Sequence, residues 1–163
     1  MANRGPGGVL TYTEKQRLRF WTEFTRYAAR KHGSLRLGKP SSRYYCHAGI
    51  RRSGFVISLN ILFHRDPVGL SCELYMSHSN AKAAFEKLKL KKAAIDRELG
   101  HPRRWRKLDW LPLRNRKSCR IIQRRPAYLE RMGTWPPLFD ELLRRGERFQ
   151  KVFGRRVRSL ALT

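Results

Sequence analysis

Residues 55–76, FVISLNILFHRDPVGLSCELYM, decide the fold. Phe55, Ile57, Leu59, Ile61 and Phe63 alternate with Val56, Ser58, Asn60 and Leu62, and positions two apart share one face of a strand. After the turn signal His64-Arg65-Asp66-Pro67, Val68, Leu70, Cys72, Leu74 and Met76 repeat the alternation. The intervening Gly69, Ser71, Glu73 and Tyr75 predict that this strand buries one face and exposes the other. Two antiparallel strands follow, with residues 68–76 central.

Working outward, Asn80 is expected to open one long helix that Gly100 closes. Ala81, Ala84, Phe85, Leu88, Ile95 and Leu99 lie on its apolar face, Lys92 interrupts that stripe, and Lys82, Lys87, Lys89 and Lys91 lie outside it. On the other side, residues 44–50 read as a strand joined to residue 55 by the turn Arg51-Arg52-Ser53-Gly54. Thr13 and Gln16 have capping-box spacing, so a helix is expected to start at Thr13, bury Leu18, Phe20, Trp21, Phe24, Tyr27 and Ala28, and end at Gly33. Beyond the break at His101-Pro102, residues 105–111 and 117–124 read as two short strands. Thr134-Trp135-Pro136-Pro137 opens a last helix that buries Phe139, Leu142, Leu143, Phe149, Val152 and Phe153 and is interrupted at Gly154. The order is α-β-β-β-α-β-β-α: a single α+β domain over residues 13–163, a mainly antiparallel sheet with flanking helices, behind a flexible segment 1–12.

The charge is unusual. Among 163 residues, 37 Lys and Arg face 12 Asp and Glu, a net +25. An excess of this size repels itself and calls for a polyanion. DNA or RNA is the expected partner, with DNA favoured; an acidic protein, such as a nuclease or another subunit of a nucleoprotein complex, is the alternative. No apolar run reaches the roughly 18 residues of a membrane span, and the N-terminus has no apolar signal core, so no membrane association and a cytoplasmic location are expected. Cys46, Cys72 and Cys119 have no metal-type spacing and read as buried free thiols.

The densest charge is Arg103, Arg104, Arg106, Lys107, Arg114, Arg116, Lys117, Arg120, Arg124 and Arg125, opposed by Asp109 alone. These residues are the expected phosphate contacts, helped by Lys87 and Lys91 on the helix and Arg51 and Arg52 at the turn. Trp105 and Trp110 are interleaved with the arginines. Packing against the sheet is the favoured reading for each ring, and base stacking is the functional one.

Several pieces carry a family resemblance: Phe20-Trp21-Thr22-Glu23-Phe24, Glu73-Leu74-Tyr75-Met76, Asn80-Ala81-Lys82-Ala83-Ala84-Phe85 and Ile95-Asp96-Arg97-Glu98-Leu99-Gly100. Leu108-Asp109-Trp110, Ser118-Cys119-Arg120-Ile121 and Trp135-Pro136-Pro137-Leu138-Phe139 continue it. From about Leu18 to Leu160 the chain resembles the prokaryotic domain of unknown function 4268. The resemblance implies a domain that is often a C-terminal companion of restriction-type nuclease domains and also occurs alone, associated with restriction or defence, and it carries over no catalytic residue.

The element order also resembles the core of restriction-type nucleases. These need an acid on the second core strand and Glu-x-Lys on the third, so that carboxylates hold Mg²⁺ and a lysine supports the attacking water. Here the third strand has Glu73-Leu74-Tyr75, the second has no acid, and Asp66 falls in the turn. Glu73 alone makes a poor Mg²⁺ site. A non-catalytic binding protein without cofactor or metal is therefore expected, with a degenerate nuclease-like core as one form of it and a Glu73-dependent nuclease as the less favoured alternative.

Overall fold

The computed structural model describes residues 8–64 and 68–162. Most of the expected flexible segment 1–12, and Asp66 with most of its turn, lie outside the described residues. The elements are α1 (Tyr12–Arg30), β1 (Tyr45–Gly49), β2 (Phe55–Leu62), β3 (Gly69–Met76), α2 (Ala81–Lys89), α3 (Lys92–Leu99), β4 (Asp109–Leu111), β5 (Cys119–Pro126), a 3-10 turn (Met132–Thr134) and α4 (Trp135–Arg158). The fold is α+β, and the sheet runs β1-β2-β3-β5-β4 with every pairing antiparallel.

The register gives the sheet two distinct faces. Ala48, Ile57, Leu74, Ile121 and Trp110 align across the strands, as do Cys46, Leu59, Cys72 and Gln123. This face is the core. α4 lies across β2 and β3, α2 lies against β5, and α1 and α3 pack beside α4. Phe20 joins α1 to α4 through edge-on contacts with Trp135 and Phe139, both at 5.1 Å. The indole N–H groups of Trp21 and Trp135 donate to the carbonyls of Arg43 (2.9 Å) and Leu129 (2.8 Å), so neither ring leaves a polar atom stranded in the core. The three cysteines are buried and free, and burial pushes the Cys46 thiol up to about 11.

The second face carries His47, Ser58, Glu73, Ile122 and Asp109 in one row, and Tyr45, Asn60, Ser71 and Arg124 in the next. β3 was expected to leave this face exposed; instead Ser71 and Glu73 are buried. Ser58 donates to Asn60 Oδ1 (2.8 Å) and Asn60 Nδ2 to Ser71 Oγ (2.9 Å), so the buried row is internally satisfied except at Glu73. Gly69 begins β3 at φ 149°, where a Cβ would lie 2.3 Å from the Arg125 carbonyl oxygen; only glycine permits that approach.

Four further expectations are corrected. The cap of α1 is Thr11, whose Oγ1 accepts from the Glu14 N–H at 3.2 Å; Thr13 lies inside the helix and meets His64 Nε2 at 3.2 Å. The long helix 81–99 breaks at Leu90-Lys91, just before the charged residue that interrupted its apolar stripe. That break lets Ile95 and Leu99 turn back into the core. Residues 105–108 are not strand, because Trp105 folds into the core and only Asp109–Leu111 pair with β5. α4 continues through Gly154 to Arg158, since burial of Val152, Phe153 and Val157 outweighs the cost of about 1 kcal/mol for an interior glycine.

Candidate nucleic-acid interface

The dense 103–125 segment divides in the structure. Arg103, Arg104, Arg106, Lys107, Arg114, Arg116 and Lys117 are exposed and have no ion pair or side-chain hydrogen bond among the described residues. Arg120, Arg124 and Arg125 are committed. Arg125 is buried and grips Glu141 of α4 through two bonds of 3.1 and 2.8 Å, so it is an internal tie and no phosphate contact. Arg124 pairs with Asp109 at 3.0 Å, and Arg120 lies 3.7 Å from Glu73 with its guanidinium over the Tyr75 ring.

Neither tryptophan offers a free stacking surface. Trp105 is buried under the Arg145 guanidinium. Trp110 is half-buried against Phe85 and donates to Asp96 Oδ1 at 3.0 Å. Arg52 is also structural: its Nη1 donates to the Val157 and Leu160 carbonyls, each at 2.7 Å, and so ties the β1–β2 turn to the end of α4 and the residues just after it. Lys87 donates to the Ala161 carbonyl, while Lys91 and Arg51 stay exposed.

A concavity lies elsewhere, between the second half of α4, the end of α3 and the β1–β2 turn. It is a groove of about 980 Å³ lined by Arg36, Arg51, Arg148, Lys151, Arg155, Arg156 and Arg158. Its one carboxylate, Glu98, is held below the usual carboxylate range by two 2.8 Å hydrogen bonds from Arg156. Arg148 Nε donates to the Glu98 carbonyl at 2.8 Å, which fixes its position on the groove wall. Arg36, Arg51, Lys151 and Arg155 are exposed and without a partner among the described residues. The signal for this wall was present in the sequence: Arg148, Lys151, Arg155 and Arg158 are spaced to share one face of a helix. Arg36 and Arg51 join it only through the fold.

Glu73 has no nuclease-like surroundings. Its neighbours across the strands are Ser58 and Ile122, with Arg120 and Arg124 diagonal to it, where such a centre needs a second acid and a lysine. Burial raises its carboxyl above the ordinary range, against the downward pull of those two arginines. No group of three His, Cys, Asp or Glu that could hold a metal ion occurs among the described residues.

Fold and surface thus define a strongly basic α+β domain, with a five-stranded antiparallel sheet, a core on one face, and a cationic groove beside the last helix. The chain belongs to the family described as Domain of unknown function (DUF4268), whose model matches residues 16–157. No curated protein and no solved structure matches it. Among the described residues, no helix is long and apolar enough to cross a membrane.

Proposed function

We propose that this protein is a non-catalytic nucleic-acid-binding protein of the cytoplasm, holding phosphates in the groove along α4 and at the exposed cations of residues 103–117. The observation that carries this reading is the groove lining, where arginine and lysine come from the 34–36 segment, the β1–β2 turn and α4, and the lone acid is already neutralised. Arginine forks suit phosphate oxygens, and such contacts position a backbone without reading sequence. DNA is favoured over RNA because the resemblance implies a companion of restriction-type nuclease domains. Glu73, facing arginines, is given no catalytic part.

Fluorescence anisotropy with a labelled duplex tests the reading. With roughly six to ten phosphates held, affinity falls by about 10³–10⁵ between roughly 50 and 200 mM salt, for all sequences alike. A flat salt response, or no binding at low salt, refutes it.

A further inference from the structure

The groove explains how a phosphate backbone is held, but not the polar face of the sheet. Among the described residues, the side-chain hydrogen bonds, ion pairs and ring contacts of that face run within it or to Arg43 and Tyr44 at its edge. Two planar stacks stand on it. On β1, the Tyr45 and His47 rings stack at 4.5 Å and 18°, and the Arg43 guanidinium lies 5.6 Å from the Tyr45 ring centre. On β3 and β5, the Arg120 guanidinium lies 5.2 Å from the Tyr75 ring centre. Both stacks end in half-exposed planar groups of the kind on which unpaired bases pile.

Between them lies Glu73. It is only 3% exposed, and its Oε2 has no hydrogen-bond partner; Arg120, at 3.7 Å, is too far to donate, and its own Nε is also unpartnered. A buried acceptor in this state calls for a hydrogen-bond donor. A phosphate cannot supply one, and a basic peptide would be repelled by Arg43, Arg120 and Arg124. A nucleobase carries N–H donors on an uncharged edge, while its own phosphates complement those three arginines.

We infer that the polar face binds single-stranded nucleic acid, with unpaired bases stacking on the Tyr45–His47 pair and on the Tyr75 ring that Arg120 now covers, and a base N–H donating to Glu73 Oε2. Arg120 turns aside to admit the base. This rests on the nucleic-acid reading above and extends it, since the groove needs only a backbone and this face needs strands that are not paired.

The test measures binding of the full chain to a labelled mixed-sequence dodecanucleotide and to the duplex formed with its complement. The double variant Tyr45→Ala/Tyr75→Ala is expected to lose about 10- to 100-fold in single-strand affinity and to stay within about twofold on duplex. Tyr45→Phe/Tyr75→Phe, which keeps both rings, is expected to match the parent on both. Unchanged duplex binding also reports an intact fold; if the alanine variant does not fold, Tyr45→Leu/Tyr75→Leu takes its place. Single-strand affinity that is unchanged, or lost by the same factor as duplex affinity, overturns the inference. Parent protein that binds duplex but no single strand overturns it too, and leaves the groove standing. Parent protein that binds neither removes both.

Discussion

Residues 103–125 and the α4 groove are both rich in cations, yet they are built in opposite ways. The first is dense in sequence and dispersed in space: Arg125 is spent on Glu141, Arg124 on Asp109 and Arg120 beside Glu73. Even its free members separate, because residues 103–107 lie near one end of the strands and 112–118 turn at the other, where the β1–β2 turn also lies. The groove is sparse in sequence and dense in space, since the fold brings Arg36 and Arg51 to the helical stripe of α4. Charge per residue is thus a poor guide to charge per unit surface. What decides is whether an arginine meets a carboxylate or a carbonyl of its own chain first.

The largest expected effect separates the two regions directly. Arg36→Ala/Lys151→Ala/Arg155→Ala should lower duplex affinity about 500-fold at roughly 0.1 M salt and reduce the salt slope by about 3, the share of three phosphate contacts. Arg114→Ala/Arg116→Ala/Lys117→Ala should do less, read in the same anisotropy titration. A larger loss from the second variant would reverse the ranking of the two regions.

Next comes Arg125→Ala. Removing one member of a buried pair leaves Glu141 uncompensated and should cost about 3 kcal/mol, at the lower end for such pairs because Glu141 is about a third exposed. Urea unfolding measures this, and the protein that remains folded should bind duplex as the parent does. Loss of binding without loss of stability would return Arg125 to the interface. Arg52→Ala should cost less, about 1–2 kcal/mol, by removing its two hydrogen bonds to the Val157 and Leu160 carbonyls.

The smallest effect concerns Glu73. Its carboxyl lies above the ordinary range in the folded chain, so the folded state holds the proton more tightly than the unfolded state. The resulting stability is fully present below the ordinary Glu value of about 4.3 and is lost as pH rises through the raised one. Glu73→Gln should remove that decline, seen as a flatter plot of urea midpoint against pH. If stability instead falls with acid in the parent and not in the variant, Arg120 and Arg124 outweigh burial at this site.

Much of the architecture was legible because strand alternation and helical spacing are local signals. All five strands, the antiparallel meander, the start of α4 and the buried aromatic stripe of α1 follow from residue order alone. The errors fall where a distant partner decides. The α1 cap is an exception, because Thr11 and Glu14 form a local pair with the same spacing as Thr13 and Gln16. The fates of Arg52 and Arg125 depend on carbonyls and a carboxylate from α4. Glu73 looked exposed by alternation, and it is the one member of its buried row with an oxygen left unbonded. The groove was half legible: its α4 wall is a periodic stripe, but nothing local ties Arg36 or Arg51 to it.

The cations that serve the fold have a practical consequence. Arg145 donates to the Leu99 carbonyl, Arg148 to the Glu98 carbonyl and Arg52 to those of Val157 and Leu160, so the ends of α3 and α4 are stapled by short hydrogen bonds at the negative poles of their helices. Salt screens well-separated, exposed charges far more than such close, partly buried ones. A high-salt wash should therefore strip bound polyanion from the protein while leaving it folded, and gradual return to low salt should let the same molecules load again.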